Sequence, residues 1–179
     1  MHIQTHVLSG WCAANLVPLT PRERFLAMVA AGAPDLDGLG RLVSQDLYLD
    51  YHHVLGHNLL FAVVGTTLLT AFSTHRGRCA VLYLLLFHLH FLMDYFGSGF
   101  GWGIRYFWPW SSHDFLTPHA WPLFSWQNLT TLGLLLVWTV GIVIRLGRTP
   151  LEAVMPSLDR QLTERIRRWW GRATCHRAD

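Results

Sequence analysis

The chain has 179 residues, 51% of them apolar and only 14% charged, against roughly 25% charged in an ordinary soluble domain. All 14 basic residues are arginine, and eight of them fall from Arg145 onward. A basic tail after an apolar run marks a cytoplasmic membrane flank and argues against a nucleic-acid partner. Cys12, Cys79 and Cys175 are too scattered for a thiolate metal site or a disulfide framework.

Residues Ile3 to Val17 read as a short apolar helix that Pro18 and Pro21 end. No basic region precedes it, so no cleavable signal peptide is expected. A second helix is predicted from Arg22 to about Ala31, with Pro21 at its first turn. Gly32-Ala33-Pro34 breaks it, and residues 38 to 51 read as a polar connection. Leu59 to Ser73 are 15 uncharged residues with Asn58 as N-cap. "THRGR" reads as a tight turn. Cys79 to Asp94 and Leu129 to Ile144 are the last two apolar helices. Between them, Tyr95 to Trp126 carry twelve aromatic residues and many glycines and prolines, an irregular, aromatic-rich loop. Thr149 to Asp179 form a polar, partly amphipathic tail.

Each apolar run is short for a membrane span. Their number in so small a chain, and the arginines on alternate turns (Arg22 and Arg24, Arg76 and Arg78, the tail), predict a polytopic all-α membrane bundle of about five apolar helices. Residues 1–148 would form the embedded domain and 149–179 a cytoplasmic tail.

That topology carries His6, Asp35, Asp37, His52, His57, His90 and Asp94 toward one membrane face. Imidazole and carboxylate suit zinc, manganese or iron. His90 and Asp94 are spaced i,i+4 and so share a helix face. A carboxylate deep in a bilayer costs about 2.5–3.5 kcal/mol on insertion scales, which a cation would offset. Asp35 and Asp37 in "PDLDG" could bridge ions or act as general base, or form an ordinary Asx-turn. His52 and His57 lie five apart, before and at the start of a helix. The expected group is one or two divalent ions, zinc first. His88 is expected to face away, as packing or as a group behind the ligands, and His2, His75 and His176 to be surface residues. His113, Asp114 and His119 lie in the aromatic loop, as a second site, a substrate contact or interfacial polarity.

Thr5-His6, "PDLD" at Pro34 to Asp37, His52 to His57, and His90 to Asp94 also recur in the order and approximate spacing of a known family. Over residues 1 to 146, including Trp108-Pro109, the chain resembles the inner-membrane proteins of the YdjM type, described as predicted membrane-bound metal-dependent hydrolases. The family's second block reads HRGxTHS; here His52 and His57 keep the histidines while the Arg and Ser are lost. The His/Asp arrangement is also similar to that of zinc-dependent phospholipase C. The resemblance implies a metal-dependent hydrolase, and the location adds a lipid or phosphoester substrate at the membrane boundary. The competing expectations are a metal-stabilised membrane anchor without turnover and a metal transporter.

Overall fold

The structure, a computed structural model, describes residues 1–175. Among them are seven helices and no strand: α1 (Ile3–Ala14), α2 (Pro21–Gly32), α3 (Gln45–Tyr51), α4 (Leu59–Ala71), α5 (Arg76–Gly97), α6 (Trp126–Leu146) and α7 (Pro156–Cys175). A 3-10 segment (Ala33–Leu42) follows α2. The all-helical expectation holds, with two corrections. Residues 38–51 are not a plain connection: the 3-10 segment runs on to Leu42, and Ser44 caps α3 by accepting a bond from Leu47 N at 3.1 Å. Five membrane-length helices are not present either. Among the described residues only α5 and α6 are long and apolar enough to cross a bilayer. At 22 and 21 residues they reach about 33 and 31 Å, against a hydrocarbon core of about 30 Å. The proline stops hold α1 and α2 to 12 residues each, and α4 has 13.

α5 forms the centre of the bundle. Its Tyr83, Leu86 and Phe87 are buried among Ala27, Ala30 and Ala31 of α2 and Ala62 of α4. Small residues let α1 and α2 cross closely: a Cβ on Gly10 would lie 2.6 Å from the Ala27 carbonyl oxygen. α6 flanks α1 and turns its apolar side outward, with Leu134 and Val137 exposed by 66% and 72%. An exposed apolar surface of that length fits lipid, not water.

The arginine-bearing turns meet at one end of the bundle. Glu23, buried in the first turn of α2, closes a capping box with Thr20. It also accepts from His75 N at 2.7 Å and His75 Nδ1 at 3.0 Å, just before α5. Its neighbour Arg24 forks onto Glu152, with Nη2 2.6 Å from Oε2, which ties α2 to the segment after α6. The tail is therefore attached: Thr149 N donates to Asp159 Oδ1 at 2.6 Å, and Arg167 caps carbonyls at the end of α6. His75, expected as a plain surface residue, is half-exposed but joins this latch.

Burial pushes the Glu23 carboxyl up, but the hydrogen bonds from His75 and Thr20 outweigh it and hold the group well below the usual range. A depressed folded-state value stabilises above the unfolded value and is lost as pH falls. The detergent-solubilised protein should therefore melt lower as pH drops below about 4.5, near the ordinary glutamate value. Glu23→Gln should cost about 2 kcal/mol at neutral pH, the scale of hydrogen bonds to a charged group, and flatten that acid dependence. An unchanged melting curve at both pH values would show that the latch does not hold the bundle.

Candidate metal centre

The opposite end of the bundle gathers the histidines and aspartates. Asp94, in the last turn of α5, is 1% exposed. His90 sits one turn before it, its Nε2 2.9 Å from Asp94 Oδ2. α1 brings His6, whose Nε2 lies 3.1 Å from Asp94 Oδ1. The loop before α4 brings His57, whose Nε2 lies 3.1 Å from Asp94 Oδ2 and 3.0 Å from His90 Nε2. His6 stacks on His90 with ring centroids 3.8 Å apart, and His53 stacks on His57 at 4.3 Å. Asp94 thus lies between two stacked imidazole pairs.

Two details hold the His57 loop in place. Gly56 backs onto the 3-10 segment so closely that a Cβ there would stand 2.1 Å from the Pro34 carbonyl oxygen. Asn58 caps α4, its side chain accepting from Phe61 N at 2.8 Å while donating to Val54 O and Leu55 O. On the far side, Asn128 at the start of α6 donates to Gly97 O at 2.8 Å and fixes the end of α5.

The hydrogen bonds on the outer ring nitrogens decide the tautomers. His90 Nδ1 lies 2.6 Å from the Ala31 carbonyl oxygen, which only accepts, so Nδ1 carries the proton. Asp37 accepts in the same way from His52 Nδ1 at 2.7 Å, His57 Nδ1 at 3.0 Å and Gly56 N at 3.0 Å. In their neutral forms His90 and His57 therefore present bare Nε2 lone pairs to one another and to the Asp94 carboxylate. Acceptors do not converge in a buried site without a cation or protons between them. The Met1 α-ammonium approaches Asp94 Oδ1 and lies 3.0 Å from Ser98 Oγ, one positive group drawn to that oxygen.

The electrostatics describe the site with a proton in the place of an ion. Burial pushes the Asp37 carboxyl up, but bonds from His52, His57 and Gly56 hold it well below its ordinary value. Burial lowers the His57 imidazole, yet the flanking Asp37 and Asp94 carboxylates raise it to about 9, so without an ion His57 carries a second proton at neutral pH, which a metal would displace. His53 is driven well down by burial and by its neighbour His57, which keeps its ring neutral and able to donate a lone pair.

The residues fit a metal. Ligands about 2.0–2.1 Å from a tetrahedral ion stand roughly 3.3 Å apart, close to the separations around Asp94. His6, Asp35, His90 and Asp94 offer ligand atoms within 4.8 Å of one another, and so do His53, His57 and Asp94. Asp94 belongs to both groups. Asp35 Oδ2 is buried without a hydrogen-bond partner, as is His6 Nδ1.

Of the residues expected from sequence, His6, Asp35, His57, His90 and Asp94 come together directly. His52 and Asp37 stand behind them, joined to each other and to His57. His53 is the candidate ligand that the sequence did not single out. It adopts a positive φ of 67°, uncommon for a residue other than glycine. That turn swings its ring onto His57 and brings Nε2 to 3.9 Å from Asp94 Oδ2. The doubled histidine at 52–53 was the available signal, but spacing alone does not reveal a left-handed backbone. His88 faces away, bonded to Leu84 O and the Tyr106 hydroxyl. His113, Asp114 and His119 are exposed and lie outside both groups, and His2 rests on Phe124. His176 lies outside the described residues.

A family model described as YdjM inner membrane protein matches residues 1–160. The chain belongs to the YdjM inner membrane protein family. That membership, with the two membrane-length helices, assigns this YdjM-family protein to a membrane. No curated protein and no solved structure matches the chain.

If the buried lone pairs bind an ion, His90→Ala and Asp94→Ala should each lose it, and the double variant should melt little lower than either alone. His88→Ala should keep full metal content. Asp37→Asn should weaken metal affinity about 10- to 100-fold, because Asp37 orients two imidazoles without reaching the ion itself. Full metal content in Asp94→Ala, by elemental analysis, would rule the assignment out.

Proposed function

We propose that this YdjM-family protein is a membrane-bound metal-dependent hydrolase acting on a phosphoester of a lipid-like substrate at the membrane boundary. The observation that carries the reading is that the ligand cluster opens to the outside. A polar mouth of about 270 Å³ reaches Asp35, His53 and Asp94, with Tyr48, Trp102 and Ser98 on its walls. A structural metal site is closed, whereas a hydrolytic one keeps a position for water and substrate. The mouth therefore supports an enzyme over a metal-stabilised anchor.

His6, His90, Asp94 and Asp35 would hold one ion and His53, His57 and Asp94 a second, with Asp94 shared. The nitrogen and oxygen donors suit zinc, and also manganese or iron. When bound, such ions supply Lewis acidity toward a phosphoryl oxygen and make water acidic enough to react near neutral pH. The two aspartates that sequence could not separate take different roles here. Asp37 is saturated by His52, His57 and Gly56 and holds those rings in orientation. Asp35 keeps an unpartnered oxygen at the mouth and is the candidate to accept the proton of the attacking water. Trp102 lies edge-on to His52 at 5.3 Å and helps to shield the centre from bulk water.

The shared end of the arginine-bearing turns supports a cytoplasmic C-terminus and an outward-facing site in a multi-pass protein. A reporter fused after Asp179 should be cytoplasmic and a tag at Ser111-Ser112 external; a cytoplasmic tag would invert the site. In the purified, ion-loaded protein, hydrolysis of bis(p-nitrophenyl) phosphate should be measurable and removed by chelator. Asp35→Asn should lower kcat about 10²- to 10⁴-fold. Metal-loaded protein without activity on any phosphoester would overturn the proposal.

A further inference from the structure

Beyond the metal centre, the aromatic loop is built as a partition. Ile104 and Phe115 pair as an isolated antiparallel bridge, with Ile104 N to Phe115 O at 3.1 Å and Phe115 N to Ile104 O at 3.0 Å. In extended chain, successive side chains leave on opposite faces. Ile104, Tyr106 and Phe115 accordingly line one cavity, and Arg105 and Asp114 line another.

The two cavities differ in character. The first is a groove of about 430 Å³ whose other walls include Phe91 and Leu92 of α5, an apolar slot along a helix long enough to span the bilayer. The second, of about 280 Å³, is polar: Asp50, His52, Trp102, Arg105 and Asp114 line it. His52 and Trp102 also wall the mouth of the metal centre, so the polar chamber and the mouth adjoin. Phe91, in the apolar groove, packs against the rings of His57 and His90. Both cavities therefore border the same cluster. Backbone contact fixes the arrangement, with Arg105 N donating to His53 O at 3.5 Å.

Among the described residues Arg105 is the only arginine lining these cavities, and its guanidinium forms no ion pair or hydrogen bond there. Arg105 is only partly buried, so its guanidinium is free to take an anion entering the chamber, and its planar fork matches phosphate. Asp50 and Asp114 add negative charge to the same chamber. That balance suits a singly charged phosphodiester whose far end carries an amine or hydroxyls. It disfavours a terminal phosphate monoester with about 1.5 to 2 negative charges.

We infer that the two cavities form one subsite for an acyl-chain phosphodiester, its chain in the Ile104–Tyr106–Phe115 groove and its phosphate on Arg105. The inference rests on the hydrolase reading for turnover, and it adds the substrate class and a specificity-determining residue. Binding tests it separately from chemistry. A fluorescent acyl phosphodiester lipid should bind the purified full-length protein in neutral detergent micelles more tightly than the matching phosphatidic acid. Arg105→Gln should weaken that binding about tenfold. Leu92→Trp, a change at an exposed groove residue, should weaken binding of the acyl lipid while leaving the water-soluble, chain-free headgroup diester unaffected. Both variants should keep wild-type metal content and melting temperature. Wild-type binding by both folded variants, or preference for phosphatidic acid, would overturn the subsite. Intact, Arg105-dependent binding without hydrolysis would instead sink the hydrolase reading and leave the subsite standing.

Discussion

The arrangement depends on a buried carboxylate. Asp94 lies at the end of the central helix, almost fully shielded from solvent, with imidazole nitrogens at 2.9 to 3.1 Å from its oxygens. An uncompensated charge in that position is costly. The chain does not relieve it with an arginine. It surrounds Asp94 with histidines and then turns their protons outward, to Ala31 O and to Asp37. In the neutral rings this leaves lone pairs inside, which is what binding a cation requires and what a merely stable core would avoid.

The fold divides its tasks between two ends. At the arginine-bearing end, Glu23 and Arg24 join α2 to the α5 start and to the tail through charge-assisted hydrogen bonds. At the other end, four separate segments each contribute one part of the cluster: α1, the 3-10 segment, the loop before α4, and α5. Such a site forms only when all four pack. The close backbone approaches at Gly10 and Gly56 therefore bear on the cluster as directly as on the packing.

The helical class, the Asn58 cap and the His90/Asp94 pair were legible because each is a local pattern: periodicity, a cap before an apolar run, and an i,i+4 spacing. The span count was not, because short apolar helices packed on a central one resemble membrane spans in composition and differ in length by only a few residues. "PDLDG" showed two carboxylates but not their division of labour. That depends on the 3-10 segment, which turns Asp37 toward His52 and His57 and leaves one Asp35 oxygen free. His53 depended on a left-handed backbone, and the partition around Arg105 on an isolated bridge between residues eleven apart in a loop that reads as irregular.

X-ray absorption at the metal edge, on protein purified without chelator, tests the central claim most directly. The account predicts a first-row divalent ion with nitrogen and oxygen neighbours at about 2.0–2.2 Å and a strong imidazole contribution. A spectrum dominated by sulfur, or protein that stays metal-free after incubation with zinc, manganese and iron in turn, would contradict it.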